Sequence, residues 1–479
     1  MDADNDLMDY SLWDLYEMES SFQSGDHSGS TLKKDVVVQH NGLNDRKHGR
    51  GIRRFLMIQT HQERLVDRFP INEQNQKERS QKVRDFFKSR SIHDVQSPII
   101  QIIEEKSGQD IDPAFEKLKR FSNFLDWGMK KYPAKHYAVI LWGHGEGWLK
   151  KGSKGSVHLG GEQLALALKS TYIKTLESKK KIDNFIADSC YMMGAELSFE
   201  VAPFVKYISG SSQVQSYLGI PYRRLFYEIN NKYPSIAHAK NDKYNLKERF
   251  QKIDESEKLA ITLPILMRAT VQSNGLQGRL DQALPGVKPK EFFTFSSLDT
   301  DHLQLLRSRL EAFAKEVMDY ILEKPKESSI RSLSIVNTLF DSPLYRSKLQ
   351  TRDLGAFIKS SLFHFRNTPL EKKSPHTKLL SIQAQNTFIA LDKAIVWTEF
   401  SHRRYNDGLK YNITTSFDED SGFRAVGFWF PRNHEQYQKE LSSFQNTSFF
   451  KYNTFPYSTD PEDQKSNWQK MMELIFKSI

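Results

Sequence analysis

The chain carries a single cysteine, Cys190, in 479 residues, which excludes an internal disulfide and any metal site built from several thiolates. One cysteine does not fix a compartment, because such proteins occur on both sides of a membrane. Long apolar runs are missing too. Nothing approaches the roughly 18 consecutive apolar residues of a membrane helix, so no membrane span is expected. The 14 histidines are scattered and no His-Glu-x-x-His pair occurs, which removes the common zinc-hydrolase arrangement. No Asp/Asn-rich loop has calcium-binding spacing, so no metal is assigned. Residues 1–9 lack both a cationic start and an apolar stretch, so they do not read as a signal peptide. Internal repeats and low-complexity linkers are absent.

What is present reads as globular. Hydrophobic residues make up 38% and charged residues 27%, enough for a large core under a soluble surface. Length suggests about two to four domains. The formal charge of +10, from 69 basic against 59 acidic residues, is mild at this length. One run, Arg46-Lys47-His48-Gly49-Arg50-Gly51-Ile52-Arg53-Arg54, has the charge to contact phosphates or to form a solvated loop before a strand. No stacking aromatics or nucleic-acid module accompany it, so no nucleic-acid partner is expected.

Apolar patterning sets out the elements. A helix is expected over about 10–21, strands at 35–40 and 53–58, and loop plus a short helix between about 60 and 110. Asp112-Pro113 opens a helix, with Asp as cap and Pro at the first helical position. Phe115, Leu118, Phe121, Leu125 and Met129 share one face of it. A strand at 136–142, a glycine-rich loop to about 161, a helix to about 178, a strand at 184–190, a short helix over about 192–204 and a strand at 206–210 follow. This alternation predicts an α/β fold with a largely parallel sheet between helices. Past about 290 the rhythm changes. A helix near 300–322, a Ser/Pro-containing stretch at 324–345 and a helix over about 376–397 precede a strand at 425–430, stopped by Pro431. A last helix presents Trp468, Met471, Met472, Ile475 and Ile479. Two regions are therefore expected, 1–290 and a smaller α+β region, 291–479, packed on it.

Two of the apolar runs end in reactive side chains. Tyr137-Ala138-Val139-Ile140-Leu141-Trp142 closes as Gly143-His144-Gly145, and Phe185-Ile186-Ala187 closes as Asp188-Ser189-Cys190. Ligands of open α/β sheets sit at the C-terminal ends of strands, and a thiol beside an imidazole is the simplest nucleophile–base pair. Gly143 and Gly145 leave room for a peptide beside His144. A helix start after Cys190 would favour an anion there. The N–H groups of Gly145 and Cys190 are candidate oxyanion donors. Taken singly, the cysteine also fits a small buried hydrophobe and the Gly-His-Gly a turn.

On these residues the chain resembles the clostripain-type cysteine peptidases, relatives of the caspases and legumains. The matching motifs are Trp142-Gly143-His144-Gly145-Glu146-Gly147-Trp148 and Asp188-Ser189-Cys190-Tyr191-Met192-Met193-Gly194. The resemblance extends to Ala3-Asp4-Asn5-Asp6-Leu7 with Asp14-Leu15-Tyr16-Glu17-Met18 at one end. At the other it takes in Phe428-Trp429-Phe430-Pro431 and the Trp468 helix. It implies a caspase-like α/β/α sandwich, with His144 as general base and acid and Cys190 as nucleophile of an endopeptidase. It further implies cleavage after Arg or Lys, with Asp188 lining the pocket, and Asp188 also suits a cap for the next helix. Self-cleavage between the two reactive residues is implied as well, at Lys150, Lys151 or Lys154. Calcium dependence occurs in the family, while the chain itself indicates no cofactor and a monomer acting on peptide or protein substrates.

The segment 211–222 departs from the family pattern. It carries no carboxylate where family members usually have glutamates, so a pocket formed with Ser211 and Ser212 relies on Asp188 alone. Polar or smaller side chains are then the alternative to Arg and Lys. The family's opening motif normally follows an apolar first strand and an export signal, so both are expected upstream of Met1, with an exported bacterial protein as the implied setting. The competing reading is an inactive caspase-like scaffold that binds peptides or proteins.

Overall fold

The computed structural model describes residues 1–20, 29–42, 51–60, 81, 84–86, 88, 90–103, 113–148, 159–215, 218–233, 245–272, 293–340, 351–368, 374–400, 422–431, 433–444, 447 and 465–479. Most of the 46–54 basic run and Lys150, Lys151 and Lys154 lie outside these residues.

A four-stranded sheet comes first, in the order β1 (Asp2–Ala3), β2 (Val37–Gly42), β3 (Ile52–Leu56) and β4 (Ile99–Ile103). β1 runs parallel to β2, and the other two pairings are antiparallel. β4 falls in the stretch read from sequence as loop plus a short helix. Its run Ile99-Ile100-Gln101-Ile102-Ile103 has the β-branched character of a strand, but it is short, half-exposed and flanked by polar residues.

The second sheet positions the site. β5 (Ala138–Trp142), β6 (Ile182–Asp188) and β7 (Val205–Gly210) are parallel neighbours, joined by α3 (Gly161–Lys174) and α4 (Ala195–Val201). β8 (Thr294–Asp299) and β10 (Ile395–Phe400) complete the order β10-β8-β7-β6-β5. Both of their pairings are antiparallel. The sheet is therefore mixed: β5, β6 and β7 are parallel neighbours, and β8 runs against the strands on either side of it. Direction is set by the sheet end at which each connection delivers the chain; β10, for instance, starts where a helix stops at Ala394.

Helices cover both faces. β6 is buried almost throughout, and its side chains alternate with the period of two that a strand imposes. Phe185 and Ala187 join one core with Leu125 of α2 (Pro113–Lys131), Leu164 and Leu168 of α3 and Leu310 of α8 (Leu303–Leu322). Ile186 faces the other, with Trp13 of α1 (Met8–Glu19), Leu225 of α5 (Tyr222–Asn230) and Ile261 of α7 (Glu255–Gln272). On α2 the expected face holds at Leu125 and Met129, whereas Phe115 is 56% exposed.

Residue 290 does not separate two sheets. β8 and β10 lie past it, β8 paired with β7 and β10 with β8, and Phe313 and Trp468 pack in the same core as Phe185. The 324–345 stretch contains a helix, α9 (Ser328–Phe340), preceded by a turn at Pro325–Glu327. Its proline sits at a helix start, where a missing N–H costs nothing. α10 (Leu354–Arg366) and α11 (Pro375–Ala394) follow. β9 (Arg352–Asp353) pairs with β11 (Gly427–Phe428), the part of the expected late strand that joins a ladder. α12 (His434–Phe444) and α13 (Asn467–Ser478) end the chain, with Trp468, Met471, Met472 and Ile475 buried and Ile479 exposed. No helix among the described residues is long and apolar enough to cross a membrane.

Candidate functional site

Register brings the ends of the two strands that lead to His144 and Cys190 side by side. β5 and β6 are paired from Ala138↔Asn184 to Trp142↔Asp188, so both strands end on the same rung. His144 lies two residues beyond that rung on one strand and Cys190 two beyond it on the other. The loops are in contact. A Cβ on Gly145 would overlap the Cys190 carbonyl oxygen and press on Met192, so only glycine admits this approach. Gly143 is needed for its backbone, with φ at +142°, and Gly147 has φ at +61°. Tyr191, directly after the cysteine, is held at φ +58°, a sparsely populated conformation for a side chain of its size.

Cys190 is half-buried and free of any disulfide. The segment after β7 runs alongside it: Tyr191 N–H donates to the Gln213 carbonyl at 2.9 Å and Met193 N–H to the Ser211 carbonyl at 2.9 Å. Gln215 N–H donates to Cys190 Sγ at 3.3 Å. Burial pushes the thiol up to about 11. The Gln215 hydrogen bond opposes this, and the Glu146 and Asp188 carboxylates reinforce it. The helix start expected just after Cys190 is displaced: α4 begins at Ala195, after a turn at Cys190–Tyr191 and a bridge between Gly194 and Gly427. A helix dipole acts within about one turn, so this one does little for the thiolate.

His144 is partly exposed, and its Nε2 lies 2.7 Å from Asp6 Oδ1 in the loop between β1 and α1. Asp188 points inward and is 5% exposed. Its carboxylate accepts from the Gln215 side-chain amide, from Ile220 N–H at 3.1 Å and from Tyr222 O–H at 2.7 Å. Burial raises it to about 6, against those hydrogen bonds. In this structure the carboxylate faces Gln215, Ile220 and Tyr222, and the N-cap of α4 is Gly194 rather than Asp188. Ser211 and Ser212 are likewise buried, at 1% and 2% exposure, and their hydroxyls meet Thr294 Oγ1 of β8 at 3.1 and 3.0 Å.

Beneath the site three carboxylates are buried together. Asp14 accepts from Trp142 Nε1–H, and Glu17 accepts from Tyr222 N–H at 3.0 Å. Burial pushes Glu17 up to about 8, and Asp14 is raised by burial and then by Asp188 and Glu17. Asp6 and Gln215 carried no signal as partners in the sequence. The first is 138 positions from His144, and the second acts through its backbone. Among the described residues no cluster of carboxylates alone offers a donor set for the calcium that the resemblance allows. Among the described residues the one cluster of metal-binding types, Glu316, Asp319 and His376, offers an imidazole and two carboxylates, and calcium takes six to eight oxygens. His376 is paired with Glu316 and Lys315 with Asp319.

Among solved structures the chain is similar to an inactive zymogen C11 protease from Parabacteroides distasonis, at 16% identity and a TM-score of 0.52, covering 94% of this chain and 95% of that one. It is also similar to a secreted C11 cysteine protease from Bacteroides thetaiotaomicron in complex with an irreversible peptide inhibitor. There the identity is 16%, the TM-score 0.47, and the coverage 93% of this chain and 96% of that one. Comparison with curated proteins finds no match. The model of the Clostripain family matches residues 1–455. The chain belongs to the clostripain family of cysteine peptidases.

Proposed function

We propose that the protein is a cysteine endopeptidase in which Cys190 is the nucleophile and His144 the general base and acid. The observation that carries this is the shared rung Trp142↔Asp188, which sends both residues out of neighbouring parallel strands into loops that touch at Gly145 and Cys190. In this reading the thiolate attacks the peptide carbonyl carbon, and the N–H groups of Gly145 and Cys190 receive the oxyanion. The C–N bond breaks as the imidazolium gives its proton to the leaving amine. Water, deprotonated by His144, then hydrolyses the thioester and frees the thiol.

The thiol pushed up to about 11 and the enclosed Asp188 describe a resting form. Selection of Arg or Lys by Asp188 requires the Gln215 and Tyr222 hydrogen bonds to open, and self-cleavage in the 146–160 loop, at Lys150, Lys151 or Lys154, is the step we assign to that change. The same two observations favour the second reading, an inactive peptide-binding scaffold. A peptide-library digest with the full chain decides between them. Cleavage by the wild type that disappears in Cys190→Ala and in His144→Ala supports the peptidase. Equal cleavage by all three, or none under any processing condition, sinks it. The residue before each cut reports whether the pocket takes Arg and Lys.

A further inference from the structure

We infer that Asp6 is the positioning residue of His144, fixing which ring nitrogen carries the proton; the inference rests on the peptidase reading above. Asp6 Oδ1 lies 2.7 Å from His144 Nε2. Both partners are held in place. Upstream of Asp6, Asn41 N–H donates to the Met1 carbonyl at 3.0 Å, and β1 pairs with β2 at Asp2↔Asn41 and Ala3↔Gly42. The Lys117 ammonium meets the Asp2 carboxylate at 2.6 Å. Asn5 brackets Asp6 itself: its amide donates to the Asp2 carbonyl at 3.0 Å, and its Oδ1 accepts from Leu7 N–H at 2.9 Å. Leu7 and Met8 then bury the start of α1.

The histidine loop meets the same segment. A Cβ on Gly143 would come within 2.9 Å of the Asp2 carbonyl oxygen, so the two backbones are in direct contact. A short tether therefore connects a fixed carboxylate to a fixed imidazole.

A carboxylate only accepts, so a neutral His144 bonded to it through Nε2 carries its proton there. Nδ1 becomes the atom that takes the proton from the thiol and returns it to the leaving amine. Without Asp6 the ring turns and both tautomers are populated, which weakens the chemical step rather than substrate binding. The Asp6 side chain is 72% exposed, so its charge is screened by water and salt. Its contribution is mainly geometric, and an asparagine carbonyl can supply it.

The test uses the full chain under conditions where the wild type cleaves, with kcat and KM for Asp6→Ala, Asp6→Asn, His144→Ala and Cys190→Ala. Asp6→Ala is expected to lower kcat roughly 10- to 100-fold, part of the range for general acid–base catalysis, with KM changed less than about threefold. Asp6→Asn is expected to recover most of the loss. In histidine-labelled protein, the ring-nitrogen NMR signals missing from His144→Ala report an Nε2–H tautomer in the wild type and Asp6→Asn, and a mixture in Asp6→Ala. An unchanged kcat, a loss carried by KM, or an unaltered tautomer in Asp6→Ala overturns the inference. Should that variant not fold, a tautomer other than Nε2–H in the wild type or Asp6→Asn does so. If His144→Ala and Cys190→Ala are inert while Asp6→Ala is normal, only this inference falls. If those two variants still cleave, the peptidase reading falls, and the ring signals still report on the contact.

Discussion

Alkylation of Cys190 tests the resting state directly. Burial moves the thiol from an ordinary 9.0 to about 11. At pH 8 the thiolate fraction then drops from roughly one in ten to one in a thousand, about 100-fold. A thiolate of higher pKa is the better nucleophile, and a Brønsted slope of about 0.4–0.5 returns roughly eightfold. The uncut chain is therefore expected to react with iodoacetamide about tenfold more slowly than a free thiol peptide. Its rate should climb close to a decade per pH unit until the pH approaches about 11. The sole cysteine makes the readout simple, since the intact mass reports a single site. Once the chain has been cut in the 146–160 loop, the rate at pH 7 should exceed that of the free thiol, and Asp6→Ala should lower it. Fast labelling of the uncut chain, levelling off below pH 8, would refute the reasoning, because the thiolate would already be formed without any rearrangement.

Two further outcomes follow from the packing and from the buried carboxylates. Gly145→Ala places a methyl group on the Cys190 carbonyl oxygen. Overpacking of this kind costs about 1–3 kcal/mol, and activity should fall at least about 100-fold, since the misplaced groups are the reacting ones; a fully active variant of unchanged urea midpoint contradicts the loop contact. Glu17, at about 8 when folded and 4.5 when not, keeps a proton that the unfolded chain releases. Stability contributed by that proton is lost as pH rises from 4.5 to about 8, by up to about 1.4 kcal/mol per unit. Urea midpoints of Cys190→Ala with and without Glu17→Gln should diverge over this window, the Gln chain falling less. Parallel curves show that Glu17 is ionised in the folded protein.

Sequence patterning identifies the elements that the core selects. β5 and β6 are short apolar runs because helices cover both of their faces, and such runs stand out. His144 and Cys190 follow from where those runs stop. What patterning misses depends on direction or distance. Nothing in Thr294-Phe295-Ser296-Ser297-Leu298-Asp299 states that β8 runs antiparallel to β7; the connection decides it. The helix expected directly after Cys190 starts at Ala195 because the chain first turns at Cys190–Tyr191, packs Met192 against Gly145 and pairs Met193 and Gly194 with Gly427. Asp188 has the composition of a pocket residue, yet its neighbours Gln215, Ile220 and Tyr222 enclose it.

These contacts make the N-terminal segment a brace for the whole site. Asp6 reaches the imidazole, Asp14 the indole of Trp142 at the end of β5, and Glu17 the backbone of Tyr222. Tyr222 in turn bonds Asp188, Asp188 bonds the Gln215 side chain, and the Gln215 backbone bonds the sulfur. From this segment His144 is thus one contact away, through Asp6, and Cys190 four, through Glu17. Burial and mutual repulsion oppose ionisation of all three carboxylates, while the buried Arg223 guanidinium favours the ionised form of Glu17. Opening Asp188 to a cationic side chain therefore alters two balances together. It breaks the chain of bonds that ends on the thiol, and it supplies the positive charge that lets the carboxylates ionise. In the mechanism proposed above, admission of substrate and release of the sulfur are one rearrangement.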